Sequence, residues 1–174
     1  MKSFKAYLNE GLNLNGEFGT DGKNKEFSRY AGVQGMETFE TWWVVYSKKL
    51  SRKVRYTFTA DLYRPSVEHE GAEGVPDYYS VEFDGDYFRD KPEGELAISV
   101  FSSAVSALYG FIKMKKPEII MAEPASRSHK KLYSSITRNP TFRRAIKKLG
   151  YSARVGADPF GLTHLDMLMI IKDQ

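Results

Sequence analysis

Nine cationic side chains, Arg127, Lys130, Lys131, Arg138, Arg143, Arg144, Lys147, Lys148 and Arg154, fall between Pro124 and Ala157. The same 34 positions hold no Asp or Glu. Guanidinium and ammonium groups at that density are suited to phosphate or carboxylate, Arg through a planar fork and Lys as a point charge. Tyr133, Phe142 and Tyr151 are interleaved with them, and aromatic faces between cations are what a nucleic-acid surface stacks bases on. The whole-chain charge of +4 hides this segment: nine of its 26 basic residues sit here, and the other 17 are outnumbered by 22 acidic ones. The same stretch also reads as an amphipathic helix with Leu132, Ile136, Phe142, Ile146 and Leu149 turned to a core. Solvated helix faces normally mix both signs of charge, so the lack of any acid makes this a candidate anion site.

Other chemistries have less behind them. There is no cysteine, which removes disulfides, thiolate zinc sites and thiol nucleophiles. The histidines are His69, His129 and His164. Glu68-His69-Glu70 holds metal-ligating types, but adjacent positions point apart and no His-x-x-x-His pair supports them, so it reads as solvated loop. No Gly-x-Ser-x-Gly elbow is present. Trp42-Trp43 lies in a strand pattern, which sends one ring to the core and the other to the opposite face.

These residues need elements to position them. The hydrophobic fraction of 41% and 174 residues suffice for one domain with a proper core. Residues 1–10 suit a short basic amphipathic helix, and 11–35, with six glycines among polar residues, read as linker or irregular arm. Thr41–Tyr46 and the alternating Val54–Leu62 predict an antiparallel pair. Tyr79, Val81 and Phe83 alternate again, with Asp84-Gly85 as a hairpin turn before Asp86–Phe88. Ile98, Phe101, Val105, Leu108 and Ile112 form one apolar stripe of a helix over 97–114, stopped by Pro117. A short strand at 118–122 follows, then the basic helical stretch over 126–149. Asn139-Pro140 breaks that stretch and Gly150 caps it. Residues 151–155 and 165–171 predict two final strands. No apolar run approaches the ~18 residues of a spanning helix, and residues 1–10 lack a signal-peptide core, so neither a membrane nor secretion is expected.

Met1–Glu10 (MKSFKAYLNE) places Phe4, Tyr7 and Leu8 on one side and Lys2 and Lys5 on the other, and Leu8-Asn9-Glu10 is followed by Gly11. This resembles the leader of proteins that T-even-type tailed bacteriophages co-assemble into their proheads. There the leader docks on the scaffold, and the prohead protease cuts after a Leu-or-Ile, any residue, Glu motif. The resemblance covers some 11 residues. It implies prohead or capsid partners, a site in the phage virion or the host cytoplasm, and cleavage between Glu10 and Gly11.

The order strand, helix, strand, helix, two strands from Tyr78 to Lys172 resembles the GNAT N-acetyltransferase fold. Ala125–Tyr133, ending Leu132-Tyr133, and Lys148-Leu149-Gly150-Tyr151 match that family's later helix pattern, with about a dozen extra residues between them. The resemblance implies acetyl-coenzyme A as cofactor and Tyr133 as the general acid for the departing thiolate. The phosphate-binding loop departs from the family. Arg89–Ala97 carries one glycine, and Glu93 and Glu95 stand where an N–H cradle is required.

The expectation is therefore an α/β (α+β) fold: a mixed, mostly antiparallel sheet with a parallel central pair and two main helices. It divides into a 1–10 leader, an 11–38 flexible arm and a 39–174 GNAT-like domain. The expected function is binding of a polyanion or protein partner through the basic helical face, without standard acetyl-coenzyme A chemistry. The alternatives are an active N-acetyltransferase with a divergent cofactor loop, or a module for DNA or a host protein.

Overall fold

Val54, Tyr56, Phe58 and Ala60 are buried while Arg55 between them is exposed, the two-residue period of a strand packed on one face. The computed structural model describes residues 28–31, 37–47, 52–65, 74–85, 95–124, 127–161 and 165–173. They form seven strands: β1 (Ser28–Ala31), β2 (Glu37–Ser47), β3 (Arg52–Tyr63), β4 (Tyr78–Gly85), β5 (Ile119–Ala122), β6 (Tyr151–Ala157) and β7 (Asp166–Lys172). Three helices join them: α1 (Glu95–Lys115), α2 (Arg127–Arg138) and α3 (Pro140–Lys148). One sheet runs in the order β1-β2-β3-β4-β5-β7-β6, and only β4 and β5 are parallel. A parallel pair needs a crossover, and α1 supplies it.

All three helices share a core with one sheet face. Phe101, Val105, Leu108, Phe111 and Ile112 of α1 meet Phe58, Val81 and Phe83, and Tyr133, Ile136, Phe142 and Ile146 extend the same cluster over β6 and β7. The other face carries a smaller cluster of Tyr78, Met121, Met167 and Met169, with Tyr63 and Phe160 against it.

Several expectations change. The arm read over 11–35 contains β1, which pairs through Ser28–Ala31 with Glu37–Glu40 of β2; a four-residue edge strand is too short to show its period in sequence. Asp84-Gly85 is not a turn: β4 runs through both, pairing Asp84 with Thr57 and Gly85 with Tyr56, because β3 is long enough to hold them in the ladder. Residues 86–88 lie outside the described residues. Along α1, the six residues from Ser103 to Leu108 are all buried, so burial exceeds the single stripe expected; Ser and Ala are small enough to pack on the flanks. The basic stretch, counted as one main helix, is two, and the break falls at the expected dipeptide. Asn139 is extended at φ −70°, ψ 119°, and its side chain accepts the Phe142 N–H at 2.9 Å. Pro140 then occupies the first turn, where its missing N–H costs nothing. Gly150 ends α3 at φ 82°, the left-handed conformation that a Cβ disfavours.

Candidate anion-binding face and the β4–β5 notch

The apolar residues of α2 and α3 fix where the charges go. Ile136, Phe142 and Ile146 are fully buried, with Leu132 and Leu149 packed beside them, so the remaining helix surface turns outward. Lys130, Lys131, Arg138, Arg143, Arg144, Lys147 and Lys148 are all exposed on it. Arg127 opens α2. Lys130 is neutralised, with its ammonium 2.7 Å from Asp166. Among the described residues, Lys131, Arg138, Arg143, Arg144, Lys147 and Lys148 make no ion pair; Arg144 Nε donates only to the Pro140 carbonyl, at 3.3 Å. Arg143 and Lys147, and likewise Arg144 and Lys148, stand four residues apart on one helix, where like charges cost a few tenths of a kcal/mol per pair. A bound anion relieves that repulsion.

Between α3 and β6 the surface folds into an open cleft of about 420 Å³. Arg143, Arg144 and Lys147 form one wall, Tyr151, Ser152 and Ala153 the other, and Asp173 contributes the one carboxylate. The β6 wall is anchored at Tyr151, which is buried and whose hydroxyl donates to the Pro117 carbonyl at 2.8 Å. Sequence reading found the cations but not the cleft, which depends on β6 running beside α3.

Tyr133 lies elsewhere. The parallel β4–β5 ladder holds only two residue pairs, Tyr79 with Ile120 and Ser80 with Met121, after which no further pairing joins the two strands. Beside that short ladder is a cavity of about 220 Å³ lined by Ser80, Val81, Glu82, Glu123, His129 and Tyr133. Tyr133 is buried there, its ring stacked on His129 at 6.1 Å between centroids. Its hydroxyl donates at most weakly, to the Glu123 carbonyl 3.5 Å away. Burial, then the charges of Glu82 and Glu123, hold its pKa well above that of a free phenol. The group stays protonated at neutral pH, as a proton donor must, but it is a weaker acid than an exposed tyrosine. Spacing in sequence could not have joined Glu82, Glu123 and His129; the fold does, by setting β4, the end of β5 and α2 side by side.

Acetyl-coenzyme A, which the GNAT resemblance implies, does not fit these residues. α1 begins at Glu95, so a glutamate stands at the helix end whose free N–H groups would hold phosphate. Glu82 and Glu123 place two more carboxylates at the notch. Glu93 lies outside the described residues, as do Leu8, Glu10, Gly11, His69 and His164. Among the described residues no group of three His, Asp or Glu side chains could hold a metal, and no helix is long and apolar enough to cross a membrane. Trp42 and Trp43 separate as expected: Trp43 is buried and stacked on Tyr56, while the Arg55 guanidinium lies 4.8 Å from the Trp42 ring on the opposite face.

No family model, no characterised protein and no solved structure matches this chain.

Proposed function

We propose that this protein binds a polyanion through the α2–α3 face, as a virion- or prohead-associated phage protein on a GNAT-like body. The observation that carries the binding half is the set of six exposed cations without carboxylate partners among the described residues, three of which wall the cleft beside β6. Evolution of a merely solvated face would leave acids among them. The phage half rests on the leader, where Leu8-Asn9-Glu10 before Gly11 fits prohead processing residue by residue. Titrating the protein with a duplex DNA oligomer and with polyglutamate, at low and moderate salt, tests the binding half. Saturable binding that weakens with salt supports it. No binding of either polymer at low salt refutes it.

A second reading, N-acetyl transfer, is favoured by one observation: Tyr133, protonated and buried, lines a cavity beside a parallel pair that ends after two residue pairs. The glutamate at the start of α1 opposes it. Calorimetric titration with acetyl-coenzyme A separates the two readings, since saturable binding lost in Tyr133→Ala but kept in Arg143→Ala belongs to the notch.

A further inference from the structure

β6 is the last strand of the sheet, and the direction of its free backbone groups can be read from its ladder. The Asp173 N–H donates to the Gly150 carbonyl at 2.7 Å, which makes that opposed pair a hydrogen-bonded one. In an antiparallel ladder such pairs alternate. The N–H and C=O of Ser152, Arg154 and Gly156 therefore turn towards β7, in the register that opposes Ser152 to Ile171 and Arg154 to Met169. Those of Tyr151, Ala153 and Val155 turn away from the sheet, and among the described residues no strand pairs with them. An edge of this kind is a template for one more strand. Two residues of that edge, Tyr151 and Ala153, also line the cleft walled by Arg143, Arg144 and Lys147.

Resting on the polyanion reading above, we infer that the cleft takes an acidic segment of another protein, bound extended as an eighth strand along β6. A segment added there lies about 4.8 Å outboard of β6, and its alternate residues share the α3 side. Side chains two apart on a strand are about 6.7 Å apart. Arg143 and Lys147 are offset by about 6 Å along their helix, so successive carboxylates on one face of the strand meet successive cations. Asp173, the one carboxylate in the cleft, does not cancel three cations. A second copy of this chain is disfavoured as occupant. Two β6 strands paired about a two-fold axis normal to the sheet would bring the α3 cations of both copies together on one side.

The test uses a fluorescein-labelled nine-residue peptide of alternating Glu and Val, and the same peptide N-methylated at alternate residues so that charge is kept and ladder donors are lost. Fluorescence anisotropy should show the unmethylated peptide binding at least about tenfold more tightly, as main-chain bonds carry strand addition. In hydrogen exchange, the Ala153 and Val155 amides of the wild-type protein should gain protection with that peptide alone. Ala153→Pro, which removes one outward N–H, should lose the preference, with an unchanged circular dichroism spectrum as the check that it folds. Equal affinity for both peptides, or unchanged exchange at Ala153 and Val155, overturns the strand. Binding of duplex DNA with neither peptide bound also overturns it but leaves the polyanion reading standing. Failure of the peptides and the duplex alike removes both.

Discussion

The Lys115 ammonium lies 2.7 Å from the Glu37 carboxylate, joining the last turn of α1 to the first residue of β2. The Tyr79 hydroxyl donates to the same carboxylate, Arg29 reaches its other oxygen at 2.8 Å, and Lys115 also lies 5.1 Å from the centre of the Phe39 ring. Four elements, β1, β2, β4 and α1, thus meet on one acid.

This junction has a pH signature. Burial pushes the Glu37 pKa up, but the hydrogen bonds from Lys115 and Tyr79 and the charges of Lys115 and Arg29 outweigh it and leave it below the ordinary value. A carboxyl depressed on folding stabilises above its unfolded pKa, near 4.5, and loses that contribution as pH falls through the lower folded value. Glu37→Gln should therefore lower the unfolding free energy at pH 7 by about 1 kcal/mol, lowering Tm, and flatten the fall in Tm below about pH 4.5. Parallel melting curves of wild type and variant from pH 3 to 7 check this; identical slopes would contradict it.

Asn139 is the cap on which α3 depends. Asn139→Ala should cost about 1 kcal/mol and weaken anion binding together with stability, because the orientation of Arg143 and Lys147 is set by that helix start. Asn139→Asp should recover most of the stability, since a carboxylate also caps and favours the helix N-terminus. Denaturant melts and one anion titration on both variants decide it.

Paired and unpaired cations should separate in salt dependence. Arg143→Ala combined with Lys147→Ala should lower the magnitude of the slope of log Kobs against log salt for duplex DNA by about 1.8, roughly 0.9 per phosphate contact. Lys130→Ala should change it by well under the ~0.9 of one phosphate contact, because Lys130 is already matched by Asp166. A full change of ~0.9 in Lys130→Ala would show that the charge acts only as a diffuse field.

Tyr133 should matter for packing through its ring far more than through its hydroxyl. Tyr133→Phe should alter stability by less than about 1 kcal/mol, as the hydroxyl makes only a long contact, while Tyr133→Ala should cost about 3–5 kcal/mol. A large loss in Tyr133→Phe would mean that the hydroxyl is held more strongly than its geometry indicates.

The phage reading proposed above predicts cleavage between Glu10 and Gly11. On that proposal, mass spectrometry of the virions that contain this chain should yield a peptide whose first residue is Gly11. An intact N-terminus from Met1 would refute cleavage.

The periodic patterns of β3, β4, α1 and the basic stretch were legible because each buries one face of a long element, and burial writes its period into the residues. The Asn139-Pro140 break and the Gly150 cap were legible because backbone geometry restricts residue type there. β1 was not, since four residues are too few to show a period, and the run of β4 through Gly85 was not, since β3 partners nearly thirty residues earlier hold it in the ladder.

The sequence alone determined that the cations of 127–154 stand among no acids, and that Leu132, Ile136, Phe142 and Ile146 would turn them outward. Only the tertiary structure decided which of them matter together. It neutralised Lys130 with Asp166, set Arg143, Arg144 and Lys147 against the open edge of β6, and enclosed Tyr133 with Glu82 and Glu123. Lys130 and Asp166 are 36 positions apart and Tyr133 and Glu82 are 51, and a local pattern holds no information about pairs that chain topology brings together.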